Sequence, residues 1–161
     1  MFQLTDSQLQ SARDAILAAS ARQDVRAAVN QIYHDLQQQI DARRPKCLIS
    51  GRCCRFEEFG HRLYVTTLEL ATFLHDLKES PDPNWSGEGC RFQKSKLCSV
   101  HTIRPFGCRL FFCDSTSTDW QHEQYQLFHT RLRQLHDELA VPYFYLEWRQ
   151  ALSLIIGPDP L

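Results

Sequence analysis

The sequence predicts a mainly α chain with a small irregular/β cysteine-rich core, in a single domain of residues 1–161. Three observations predict it. Apolar residues recur at helical spacing in residues 1–44 and again in 116–161, all seven cysteines fall between Cys47 and Cys113, and turn formers punctuate the stretch that holds them. Residues 45–115 therefore read as the cysteine-rich core and the two ends as helical flanks. At 161 residues and 43% hydrophobic, the chain is of ordinary domain size and can bury a sizeable core.

The first helix is expected to start at a cap on Thr5 or Asp6, with Leu9, Ala12, Ile16 and Ala19 along one face. After a break near Ser20 to Gln23, a second helix aligns Val25, Val29, Ile32, Leu36 and Ile40, and Pro45 stops it. His61 to Val65 reads as a short strand. Thr66 or Thr67 then caps a helix with Leu70, Phe73, Leu74 and Leu77 on one face; Glu69 and Glu79 carry no catalytic pattern. The segment SPDPNWSGEG is an exposed loop whose Trp85 reads as a lid over apolar surface.

From Cys90 a short hairpin is expected, with Cys90 and Cys98 on its arms and the turn at Gln93 to Lys96. Ser99 starts a brief helical turn that Pro105 stops, and Cys108 and Cys113 follow on an apolar strand or turn. Thr118 or Asp119 caps a late helix with Leu127 or Phe128, Leu132, Leu135 and Leu139 as its stripe. YFYLEWRQALSLII reads as one more short helix. His122, His129 and His136 recur every seven residues there. That spacing covers about 10.5 Å of helix axis, too far for neighbours to share an ion, so they read as one edge of the helix surface.

Composition narrows the chemistry. The N-terminal residues lack the basic and apolar regions of a secretory signal, and no apolar run approaches a membrane span. A cytoplasmic protein without membrane association is expected. In that compartment thiols stay reduced, so clustered cysteines indicate a metal or redox site rather than a disulfide framework. Seven is also odd, which would leave one thiol over. From Arg43 to Arg109 there are twelve Lys and Arg against seven Asp and Glu, an excess of five positive charges interleaved with the cysteines. That placement fits compensation of bound thiolates better than a nucleic-acid stripe, and no nucleic-acid partner is expected.

The candidate ligands are Cys47, Cys53, Cys54, Cys90, Cys98, Cys108 and Cys113. Structural zinc sites usually show paired CxxC knuckles, and this chain has none. Five residues separate Cys47 from Cys53, Cys54 is adjacent, seven separate Cys90 from Cys98, and four separate Cys108 from Cys113. Iron–sulfur clusters accept such wider spacings because their iron atoms are themselves apart. Zinc stays open beside that reading. His101, three residues after Cys98, is a further candidate ligand or an outer hydrogen-bond donor. No Gly-rich phosphate loop, nucleophile elbow or paired-carboxylate pattern is visible.

In these residues the chain resembles the zinc- or iron-chelating proteins of the CxxCxxCC type, also called YkgJ-like. CLISGRCC matches the opening motif at Cys47, Cys53 and Cys54, with Ser50 in place of its second cysteine; Cys90, Cys98, Arg104-Pro105 and Cys108 follow in the family's order, and Cys113 completes the set. The resemblance covers about residues 45 to 115. It implies a metal or iron–sulfur site without an agreed reaction, since some relatives are described as iron–sulfur oxidoreductases and flagellin lysine methylases look similar in the motif. With Ser50, seven thiols make a four-thiolate site plus a three-thiolate one with an open position, or one site plus spare thiols.

The expected function is thus a metal-binding protein holding an iron–sulfur cluster or Zn2+, for structure or for electron or metal transfer to a protein partner. Two alternatives remain: an oxidoreductase or methylase-like enzyme with an open coordination position, or an interaction module stapled by zinc. The sequence does not set the oligomeric state.

Overall fold

The computed structural model describes residues 3–47 and 50–158. Helix α1 (Asp6–Ser20) starts at Thr5, whose hydroxyl accepts from the Gln8 amide while the Gln8 side chain accepts from the Thr5 amide. It buries Ala12, Ile16 and Ala19. Helix α2 (Gln23–Arg43) buries Val25, Val29, Ile32, Leu36 and Ile40, as expected, and Tyr33 in addition. It ends at Arg44, which turns left-handed just before Pro45 and donates its amide to the Ile40 carbonyl.

A 3-10 turn (Arg52–Cys54) and the one-turn helix α3 (Phe56–Phe59) lead into strand β1 (Tyr64–Thr66) and helix α4 (Thr67–Asp76). Thr66 is the cap. Every residue from Thr67 to Phe73 is buried, so α4 is covered on all sides. It packs against both α1 and α2 and divides the interior. Leu70 and Phe73 join one apolar cluster with Ile16, Phe92, Trp148 and Leu152, whereas Leu68 and Ala71 join a second with Val29, Leu36, Phe106 and Leu132.

Strands β2 (Gln93–Lys94) and β3 (Leu97–Cys98) form a tight hairpin, with Ser95 and Lys96 both left-handed at its turn. Cys90 precedes the hairpin instead of lying on its arm, because the arms extend only two residues each. A 3-10 turn (His101–Ile103) ends before Pro105, which caps the one-turn helix α5 (Phe106–Arg109). Of the strand or turn expected for it, Cys108 takes a turn, a helical one, while Cys113 lies in irregular chain. A further 3-10 turn (Ser115–Ser117) leads into helix α6 (Thr118–Glu138), strand β4 (Tyr145–Glu147) and helix α7 (Trp148–Ile156).

The last third departs most from expectation. Residues 145–147 form a strand, not helix: β4 pairs antiparallel with β1, placing Val65 opposite Leu146. Ser117, not Thr118 or Asp119, is the residue preceding α6, and Asp114 caps the turn before it. Phe128 and Leu132 are buried but Leu127 is exposed. The three histidines are not one surface edge. His136 is buried with its Nδ1–H donating to the Leu132 carbonyl at 2.8 Å, His129 contacts the Tyr143 hydroxyl at 3.1 Å, and only His122 is exposed. Trp85 is not an apolar lid either. The Arg149 guanidinium stands 5.0 Å from its ring centroid and its indole N–H donates to the Glu88 carbonyl.

One buried carboxylate joins these parts. Glu69 is 2% exposed; one oxygen accepts from the Thr66 amide at 2.8 Å and the other from the Phe106 amide at 2.9 Å. It thus closes the cap of α4 and also holds the start of α5. Burial pushes its pKa up, against the pull of those two amides and of Arg109. The raised pKa means that Glu69 contributes most to stability when protonated, and that contribution is lost as pH rises from the ordinary glutamate range through its folded value. In Glu69→Gln an amide NH2 replaces one of the two acceptors and faces a backbone N–H. We expect a loss of about 1–3 kcal/mol in urea unfolding, with the α5 amides exchanging faster; an unchanged midpoint would show that the two acceptors are not needed.

Candidate functional site

All seven cysteines are free thiols, and the fold sorts them into groups. Cys53 and Cys54 belong to the 3-10 turn after Gly51, Cys90 to the loop before the hairpin, Cys98 to β3 and Cys108 to α5. The thiols of Cys53, Cys90 and Cys98, in that order, act on the ionisation of Cys54. Cys108 is close enough for Cys90, Cys53 and Cys98 to act on its ionisation. Cys54 and Cys90 are buried in one apolar cluster and Cys53, Cys98 and Cys108 pack against it, so five thiols from four segments share one region.

Backbone contact makes that meeting possible. The Cys90 amide donates to the Cys54 carbonyl at 2.8 Å. Gly89 is left-handed at φ 69°, and a Cβ there would stand 2.6 Å from the same carbonyl oxygen. Gly51, at φ 72°, would bring a Cβ within 2.6 Å of the Lys96 carbonyl, and its own carbonyl accepts from the Gln93 side chain at 2.9 Å. Only glycine admits both approaches without strain. Glu57 adds a further tie by accepting from the Gly89 amide at 2.6 Å.

The remaining members stand apart. Cys113 contacts the Ser50 hydroxyl at 3.4 Å, so Ser50 meets a different thiol from the five. Cys47 is exposed, and its neighbour Lys46 donates its amide to Asp114, the neighbour of Cys113. His101 is exposed and its Nδ1 lies 3.0 Å from the Arg104 guanidinium. Among the described residues, no group of three or more His, Cys, Asp or Glu side chains is arranged to hold a metal ion.

The electrostatics of the five thiols follow from their crowding. The Cys54 S–H pulls the Cys53 thiol down to about 6 and the Cys98 thiol down to about 7, each against the cost of burial. It lowers Cys90 likewise, and there the Trp148 indole N–H also donates to the sulfur, at 3.2 Å. Cys54 itself is held protonated, first by Cys53 and then by Cys90 and Cys98. Burial pushes Cys108 up, and the neighbouring sulfurs push it further. A thiol carries one proton and can serve one of three acceptors at a time. Arg104 is the cation whose field favours the ionised forms of Cys53, Cys98 and Cys108.

Trp148 and His61 were not singled out from the sequence. Trp148 is 1% exposed, and a buried indole N–H needs an acceptor; that need was the available signal, but it does not say which acceptor. His61 donates from Nε2 to the Cys53 carbonyl at 3.3 Å and stacks on Phe111 with ring centroids 4.9 Å apart. No helix among the described residues is long and apolar enough to cross a membrane. Compared with known protein families, curated proteins and solved structures, the chain matches none.

In the metal-free, reduced protein, the alkylation rate of Cys53 by iodoacetamide should rise with a midpoint near pH 6, where its thiolate forms. Removing the donor in Cys54→Ala should move that midpoint up by about one unit or more. The sign for stability is the same: ionised Cys53 favours the fold above the ordinary thiol range, and that contribution is lost as pH falls through about 6. Peptide mass spectrometry across pH reads both midpoints, and identical curves for the two proteins would remove Cys54 as the cause.

Proposed function

We propose that this chain is a metal-binding protein that holds an iron–sulfur cluster or zinc through Cys53, Cys54, Cys90, Cys98 and Cys108. The bound metal serves structure, or electron or metal transfer to a protein partner. The observation that carries this reading is the gathering of five thiols, from four segments, in or against one apolar cluster, with Cys54 and Cys90 buried and Cys53, Cys98 and Cys108 half-buried. The order of these cysteines, with Arg104-Pro105 between Cys98 and Cys108, is also the order in which the chain resembles the CxxCxxCC type.

The donor set suits the group. Its members are sulfurs, which favour zinc and iron–sulfur clusters over hard cations that take oxygen ligands. Cys54 with three sulfurs in reach supplies four, the number that completes a tetrahedral zinc or anchors one cluster, and Cys108 is a fifth. Phe92, Val100 and Trp148 are buried in the same cluster as Cys54 and Cys90, which limits water at the sulfurs. The side chains must turn to face a common centre, and a divalent cation supplies the charge compensation that one S–H proton cannot give three thiolates. Trp148 donating to Cys90, and Arg104 beside three of the thiols, remain available to stabilise sulfur charge.

The test is elemental analysis and a visible spectrum on protein purified without oxygen. Brown protein containing iron and sulfide identifies a cluster, and colourless protein with stoichiometric zinc identifies the other metal. Cys53→Ser and Cys90→Ser should each lower metal content and unfolding midpoint together, because binding free energy is also folding free energy. Cys47→Ser and Cys113→Ser should retain the metal. Metal content untouched by Cys53→Ser and Cys90→Ser would sink the five-thiol assignment.

A further inference from the structure

We propose that the open cleft beside the thiols is a binding site for a planar aromatic molecule that carries one acidic group. The cleft encloses about 490 Å3, and both Cys53 and Cys108 line it. That volume lies in the range of small-molecule sites. Much of the lining is aromatic, with Phe111 and Tyr125 prominent, and His61 already stacks on Phe111 at an interplanar angle of 26°. Flat faces of this kind favour a flat guest, held by offset or edge contacts.

Charge selects the second feature of the ligand. No Asp or Glu lines the cleft among the described residues, whereas Arg62 does. Arg62 is exposed and makes no hydrogen bond or ion pair among the described residues. An exposed guanidinium without a carboxylate partner at an aromatic cleft is suited to an acid on the ligand, as its fork matches a carboxylate or sulfonate. A neighbouring cleft of about 520 Å3 shares His61 and Arg62 but is lined by Glu57 and Glu147; its acidic wall suits an aromatic acid poorly.

The position gives the cleft its interest. A ring seated there lies beside two of the five sulfurs, so that a small molecule and the thiol site would share an edge. This juxtaposition rests on the metal-binding reading; the binding of the aromatic acid does not.

The test uses two probes that differ in one group, anilinonaphthalene sulfonate and its uncharged counterpart N-phenylnaphthylamine. Each is titrated by fluorescence into full-length protein purified without oxygen, with iron and zinc measured on the same sample. Both should bind saturably at one site, the sulfonate more tightly. Arg62→Gln should weaken the sulfonate about tenfold, the worth of a charge-assisted contact, and leave the uncharged probe unchanged. Thr118→Trp, at an exposed lining position at the start of α6, should weaken both. Equal loss of both probes in Arg62→Gln, or none, overturns the acidic-group assignment. Binding indifferent to Thr118→Trp, or non-saturable, overturns the cleft. Metal present without probe binding counts against the cleft alone, and probe binding without metal counts against the metal reading alone.

Discussion

The arrangement depends on two loops approaching at backbone distance. The Cys90 amide bonds the Cys54 carbonyl, and Gly89 and Gly51 stand where any side chain would strike the opposing loop. Sulfur atoms reach one another only because their main chains come this close. A cysteine side chain is short, so convergence of thiols from four segments has to be set by the backbone, and the backbone has to be set by the helices behind it. The left-handed conformations at Gly51 and Gly89 are accordingly part of the site.

Behind the loops, helix α4 carries the load of placement. Its first-turn Glu69, which completes the Thr66 cap, reaches out of its own helix to the first amide of α5, where Cys108 resides. The same helix separates the two apolar clusters, so that α1 and α7 pack on the thiol side and α2 and α6 on the other. Strand β4 then returns the chain to β1, and Trp148, the first residue of α7, arrives with its N–H at Cys90. Arg91 secures this end by donating to the Gly157 and Pro158 carbonyls. Helical flanks and cysteine loops are thus tied by a small number of polar contacts made inside an apolar interior, where each is costly to leave unmade.

How much of this was legible in the sequence follows from the range of the forces involved. Helices α1 and α2 were readable to within a residue or two, since stripe, cap and stop all lie in local sequence. The hairpin turn was readable as well, although its arms proved shorter and left Cys90 outside. Strand β4 was not, because YFYLEW is equally apolar in either conformation and only its pairing with β1, some eighty positions earlier, decides. For Cys108 the choice between strand and turn stayed open for the same reason: α5 is a single turn held by Glu69, a residue that local pattern reads as an ordinary first-turn acid.

For the site, sequence order grouped the seven thiols in one stretch but did not say which of them the fold brings together. Cys53 and Cys54, adjacent in sequence, both enter the group from the 3-10 turn after Gly51. Ser50 is the more instructive case. Its hydroxyl lies against Cys113, a thiol outside the group of five. A cysteine there would have given two facing thiols, with Cys47 on the loop that Lys46 ties to Asp114. The chain as it stands keeps a hydroxyl in that place, so Cys113 faces an oxygen and not a second sulfur, apart from the thiols beside the close approaches at Gly51 and Gly89.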